Sequence, residues 1–200
     1  MDFLEVCELV GVAAFAASGA ITAIEKKLDV FGIVVLAFLT AVGGGVLRDV
    51  IMDRGVPVFF SNYRYTAIIL ATSVVMMLLR DRVRWSFPFV VIDTLGLAVF
   101  TVVAGVKAID SGMNLLAFLF VSVITGVGGS VLRDIIVQEV PTILRKEIYA
   151  TAVLIGALVL WFTLPYLGRT LSVYLCIFLV FAIRMVSYRL NVNLSFVKEG

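Results

Sequence analysis

The heptapeptide GGGVLRD occupies residues 43–49, and GGSVLRD occupies residues 128–134, 85 positions later. Each closes a long apolar run, where adjacent glycines and an Arg-Asp pair are out of place. Read outward from these phrases, the likeness continues. At the same offset Glu8 falls on Asp93, Gly11 on Gly96, Ala13 on Ala98, Phe15 on Phe100 and Thr40 on Thr125. The register holds without a gap over about 45 positions and slips to 84 at Pro57 and Pro141. Apolar residues align with anything, but Thr-x-x-Gly-Gly-x-Val-Leu-Arg-Asp written twice marks an internal repeat.

Of 200 residues, 62% are apolar and 15% are charged. A soluble domain carries about 25% charge. The apolar surplus gathers into seven nearly charge-free runs: 3–24, 30–42, 67–79, 87–106, 115–127, 148–164 and 171–183. A bilayer core of about 30 Å takes about 20 helical residues. The second and fifth runs reach that length only by continuing through their glycines. The pattern predicts an all-α membrane protein with seven transmembrane helices, near 3–24, 30–53, 64–80, 88–108, 114–138, 147–164 and 170–188. It forms one transmembrane domain over 1–200, with repeat one at about 3–84, repeat two at about 88–168 and the seventh helix at about 170–188. Three helices per repeat is an odd number, so the second repeat enters the membrane upside down relative to the first. Inverted repeats of this kind place an ion or substrate path at their interface.

Several function classes drop out. The links between runs leave no room for a soluble domain. The first run follows Asp2, Glu5 and Glu8 in place of a basic stretch, so it reads as a span and not as a signal peptide. Cys7 and Cys176 lie in apolar runs, which predicts no disulfide framework, and the absence of histidine argues against zinc. No P-loop, dinucleotide fingerprint or nucleophile–base pair is present, so neither a cofactor nor an enzyme is expected. Most of the basic residues divide by side. Lys26, Lys27, Arg80, Arg82, Arg84, Arg145, Lys146, Arg184, Arg189 and Lys198 fall on one face, and Arg54, Arg64, Lys107 and Arg169 on the other. The positive-inside rule puts the first set in the cytoplasm, the N-terminus outside and the C-terminus inside. The net charge of +2 is then a topology signal, and no nucleic acid partner is implied.

Within the repeat, each glycine lowers helix propensity by about 1 kcal/mol relative to alanine. A break at Gly43, Gly44 and Gly45, and another at Gly128 and Gly129, would free the carbonyls of 39–42 and 124–127. Freed carbonyls survive in a bilayer only where protein or water satisfies them. With the hydroxyls of Thr40 and Thr125 they would suit a monovalent cation. Ser130 aligns with Gly45, so the second bend is expected to be milder. Ser18 and Thr22, four residues apart on the first helix, either face the same path or bond back to their own helix. Close helix packing is the alternative reading of the glycines. Arg48, Asp49, Arg133 and Asp134 follow one turn later, at a depth where ionisable groups are costly and functional by default. Arg48 would pair with Glu8 and Arg133 with Asp93, locking the first helix of each repeat to the second. That lock is compatible with a pore-lining or gating role. Lys107, aligned with Thr22, is either a gate or a snorkelling interface residue.

Two inverted three-helix repeats, each with GG-x-VLRD, and a seventh helix resemble the TRIC family of trimeric intracellular cation channels, in its prokaryotic form. The resemblance covers essentially the whole chain. It implies a homotrimer embedded in membrane lipids, with a separate pore in each subunit passing potassium and also sodium. It places the bent helices at Gly43–Gly45 and Gly128–Gly129, in the plasma membrane of a prokaryote. Prokaryotic relatives also carry a glycine-transporter label, so a small-solute carrier is the competing expectation.

Overall fold

The computed structural model describes residues 3–80, 86–145 and 148–190. Asp2, Arg82, Arg84, Lys146 and Lys198 of the topology argument lie outside them. The described residues form only helices and turns: α1 (Phe3–Glu25), α2 (Val30–Ile51), α3 (Val58–Ser61), α4 (Tyr63–Leu79), α5 (Ser86–Asp110), α6 (Leu115–Ile136), α7 (Thr142–Arg145) and α8 (Ile148–Leu190). Five of these, α1, α2, α5, α6 and α8, are long and apolar enough to cross a membrane. The apolar α4 has 17 residues, about 25 Å at 1.5 Å per residue. Gly168 interrupts α8 with φ 73° and ψ 170°, three residues after Pro165, between the sixth and seventh predicted helices. These apolar helices make it a multi-pass membrane protein.

Local signals set the ends of the long helices. Asp29 caps α2 by accepting from the Gly32 amide at 2.7 Å, and Asn114 caps α6 by accepting from Ala117 at 2.9 Å. Past the far ends, Asp53 and Gln138 turn the chain with φ of 50° and 58°. Lys27 and Gly112 do the same after α1 and α5, at 58° and 69°. Each of these pairs is separated by 85 residues. The short helices α3 and α7, which hydropathy alone reads as links, each begin just after a proline, Pro57 and Pro141.

At the centre α1 meets α5. Phe15 and Phe100 stack with centroids 5.2 Å apart and planes inclined by 14°. Each ring lies on the other helix's glycine, Phe15 on Gly96 and Phe100 on Gly11. Either glycine given a methyl group would push that stack apart.

The expected interruption of the glycine helices does not occur. α2 and α6 remain helical through Gly43, Gly44, Gly45, Gly128 and Gly129, and none of the five has a positive φ. The physical reason is proximity. A Cβ on Gly44 would overlap the carbonyl oxygen of Thr125, and a Cβ on Gly129 would overlap that of Thr40. Without side chains the two backbones approach closely, and the van der Waals attraction between them offsets the propensity lost. The carbonyls remain within helices, so the close-packing alternative describes Gly43, Gly44, Gly128 and Gly129 in this conformation, whereas Gly45 has open space beside it.

Candidate functional site

Two buried ionic clusters sit at opposite ends of the bundle, with the glycine crossing between them. The first is built where the start of α1, the end of α2 and the end of α5 converge. Arg48 is 1% exposed. Its Nη1 donates to Glu8 Oε1 at 3.0 Å and its Nε to Asp49 Oδ1 at 2.8 Å. Lys107 reaches across from α5 and donates to both Glu8 oxygens, at 3.0 and 2.8 Å. It therefore neither snorkels nor stands free. The second oxygen of Asp49 accepts from the backbone amide of Val58 at 3.0 Å, tying α2 to the first residue of α3. Tyr65 on α4 faces the Glu8 carboxylate.

The second cluster joins the start of α5 to the end of α6. Arg133 Nη1 donates to Asp93 Oδ1 at 2.6 Å and to the Ser18 hydroxyl at 2.5 Å, and Ser18 in turn donates to Asp93 at 2.9 Å. The Arg133 Nε and Nη2 atoms donate to Asp134 Oδ1 at 2.9 and 2.7 Å. Asp134 Oδ2 accepts from the amide and hydroxyl of Thr142 at the start of α7, at 2.8 and 3.0 Å. Tyr149 on α8 donates to Asp93 Oδ2 at 2.8 Å and lies 3.0 Å from the Ser130 hydroxyl. Arg184 stacks over the Tyr149 ring, 4.4 Å from its centroid.

Four contacts recur in both clusters at the repeat offset: arginine to the carboxylate of the first helix, arginine to the neighbouring aspartate, that aspartate to a backbone amide, and a tyrosine to the first carboxylate. Glu8 corresponds to Asp93, Arg48 to Arg133 and Asp49 to Asp134 at 85; Val58 corresponds to Thr142 and Tyr65 to Tyr149 at 84. The differences carry the chemistry. The first cluster holds two cations and two carboxylates. The second holds Arg133 and two carboxylates, with Arg184 stacked over Tyr149, and is supported by more hydroxyls. Buried charges persist only when paired and hydrogen-bonded, and Glu8, Arg48 and Asp49 in one cluster and Asp93, Arg133 and Asp134 in the other meet that condition.

Between them, Thr40 and Thr125 are fully buried, and their hydroxyls donate back to Leu36 and Val121 carbonyls at 2.6 Å each. Thr22 likewise bonds back to the Ser18 carbonyl at 3.0 Å. Ser18 departs from that bland alternative, because it bridges Asp93 and Arg133. The sequence reading missed Tyr65, Tyr149 and the amides of Val58 and Thr142. Carrying the alignment past the prolines at an offset of 84 pairs all four. At the membrane surface, Lys26 pairs with Glu139, and this hydrogen bond holds the Glu139 carboxyl below the usual glutamate range.

Known proteins align with this arrangement along most of the chain. A family model described as "Glycine transporter" matches twice, over residues 5–81 and 90–165. The UPF0126 inner membrane protein YadS of Escherichia coli K12 is 41% identical over 157 residues, covering 76% of this chain and 74% of YadS. The UPF0126 membrane protein YvgT of Bacillus subtilis 168 is 31% identical over 192 residues, covering 94% and 93%. A prokaryotic TRIC channel crystallised in 0.5 M KCl superimposes with a TM-score of 0.90 at 30% identity, covering 96% of this chain and 98% of that one. The TRIC trimeric intracellular cation channel orthologue from Rhodobacter sphaeroides gives 0.91 at 27% identity, covering 96% and 100%. The chain thus belongs to the family whose model is described as "Glycine transporter", with UPF0126 bacterial membrane proteins among its relatives, and is a prokaryotic member of the TRIC channel family.

Proposed function

We propose that this protein is a monovalent cation channel, permeable to potassium, that works as a homotrimer with one pore in each subunit. The observation that carries the reading is whole-chain similarity to TRIC cation channels, joined to two neutralising clusters at the two ends of one glycine crossing. The chain crosses the membrane seven times, with α8 counted as two spans hinged at Gly168. Its two halves are inverted three-helix repeats, about 3–84 and 88–168, and the helix after Gly168 stands outside them. The twofold family match and the paired caps, turns and charges at a constant offset support this layout.

The path runs between the repeats, past Thr40, Gly43, Gly44, Gly45, Thr125, Gly128, Gly129 and Ser130, with Ser18 beside the second cluster. In this conformation the backbone contact of α2 with α6 closes it. Separation of the two helices would turn the Thr40 and Thr125 carbonyls, which now face the opposite glycines, toward a passing ion. Carbonyl and hydroxyl oxygens suit a hard monovalent cation. Glu8 and Asp49 neutralise Arg48 and Lys107 at one mouth, and Asp93 and Asp134 balance Arg133 and Arg184 at the other. Neither cluster then presents a net positive barrier, and each arginine acts as a latch between helices. The N-terminus lies outside the plasma membrane and the C-terminus in the cytoplasm.

A glycine carrier is the second reading, favoured by the description of the matching family model. Recording from purified protein in planar bilayers separates the two, because a channel gives unitary currents and a carrier gives saturable uptake.

A further inference from the structure

The repeats differ at one position beside their clusters: Gly45 stands where the second repeat has Ser130. The Ser130 hydroxyl is buried, donates to the Val127 carbonyl at 2.8 Å and lies 3.0 Å from the Tyr149 hydroxyl. The corresponding groups of the first repeat are the Val42 carbonyl and the Tyr65 hydroxyl. Both residues line a cavity of ≈ 20 Å³, open to the centre of a water molecule, together with Glu8, Gly45, Arg48 and Asp49. A Cβ built on Gly45 would meet only Arg48 Nη2, at 4.0 Å.

We propose that the cavity beside Gly45 is a hydration site. It holds one water molecule in the place that the Ser130 hydroxyl takes in the second repeat. Two measures support this. About 10–15 Å³ open to a water centre accommodates one water, and a buried water typically has two to four polar partners. The Val42 carbonyl, the Tyr65 hydroxyl, the Arg48 guanidinium and the two carboxylates supply more than that. A cation is disfavoured, because Arg48 lines the cavity and Lys107 sits on the Glu8 carboxylate. The first cluster then carries a solvent molecule where the second carries the Ser130 hydroxyl.

Crystal structures of the full-length protein, of Gly45→Ser and of Ser130→Gly test this, at a resolution that shows ordered water and with crystals grown in a thallium(I) salt. The native protein should show one peak about 2.7–3.2 Å from at least two of the Val42 carbonyl, Tyr65 hydroxyl and Arg48 guanidinium. Thallium anomalous signal should be absent there. In Gly45→Ser the peak should be replaced by the serine hydroxyl, and in Ser130→Gly a new peak should appear beside Tyr149. A native cavity without a peak, a peak with thallium signal, or a native peak that persists in Gly45→Ser would overturn the proposal. If Gly45→Ser does not fold, the native and Ser130→Gly structures decide it alone.

Discussion

The α-carbon of Gly44 lies against the carbonyl of Thr125 so closely that a methyl group would overlap the oxygen. Gly129 stands in the same relation to Thr40. The obstacle in both cases is backbone, which cannot swing aside as a side chain can. Gly44→Ala and Gly129→Ala should each destabilise the protein by about 1–3 kcal/mol, the cost of overpacking. Gly45→Ala meets open space and should be neutral, or gain up to about 1 kcal/mol from helix propensity. Thermal melting of the three purified variants checks this. Equal losses at all three positions would contradict the crossing described here.

The arginines should not be equivalent. Removing Arg48 leaves Glu8 with Lys107, which already donates to both of its oxygens. Removing Arg133 leaves Asp93 with only hydroxyl partners, Ser18 and Tyr149. Breaking a buried pair typically costs about 3–5 kcal/mol, largely from the orphaned charge. Arg133→Ala should fall in that range and Arg48→Ala below it. Double-mutant cycles of Arg48→Ala with Glu8→Gln, and Arg133→Ala with Asp93→Asn, should both be non-additive, with the larger coupling at Asp93. Strict additivity in both cycles would remove the latches.

Much of this site was legible in the sequence because charge in an apolar run has few ways to survive. Glu8, Arg48, Asp93 and Arg133 had to find partners, and the repeat offset named them. The state of the glycines was less legible. Propensity argues for a break at Gly43–Gly45, and only the approach of the partner backbone, a tertiary fact, reverses it. The role of Asp49 was hidden for another reason. Its second oxygen takes the amide of Val58, and a backbone donor leaves no mark in composition. Lys107 was ambiguous because a lysine near a helix end reads as snorkelling until its carboxylate is located.

At the membrane surface, the Lys26–Glu139 pair links the α1–α2 turn to the segment after α6. The Glu139 pKa is lowered, so whatever the pair contributes is present above the unfolded glutamate value and is lost as pH falls through the folded value. Carboxyl NMR should find Glu139 titrating below 4.5 in the native protein and shifting upward in Lys26→Gln. An unchanged titration would show that the pair does not form in solution.

Orientation is tested by single cysteines at exposed turns, in a background lacking Cys7 and Cys176. A cysteine at Lys27 should react with an impermeant thiol reagent only from the cytoplasmic side. One at Gly112 should react only from outside. Labelling of both from one side would contradict the inverted layout.

The central claim is that a continuous cation path exists in each subunit, and planar-bilayer recording tests it most directly. Purified trimer in symmetric potassium chloride should give discrete unitary currents that reverse near the cation potential when a salt gradient is imposed. Gly129→Ala should alter them if it assembles. Saturable, stoichiometric glycine uptake with no unitary current under any condition would contradict the channel and establish the carrier.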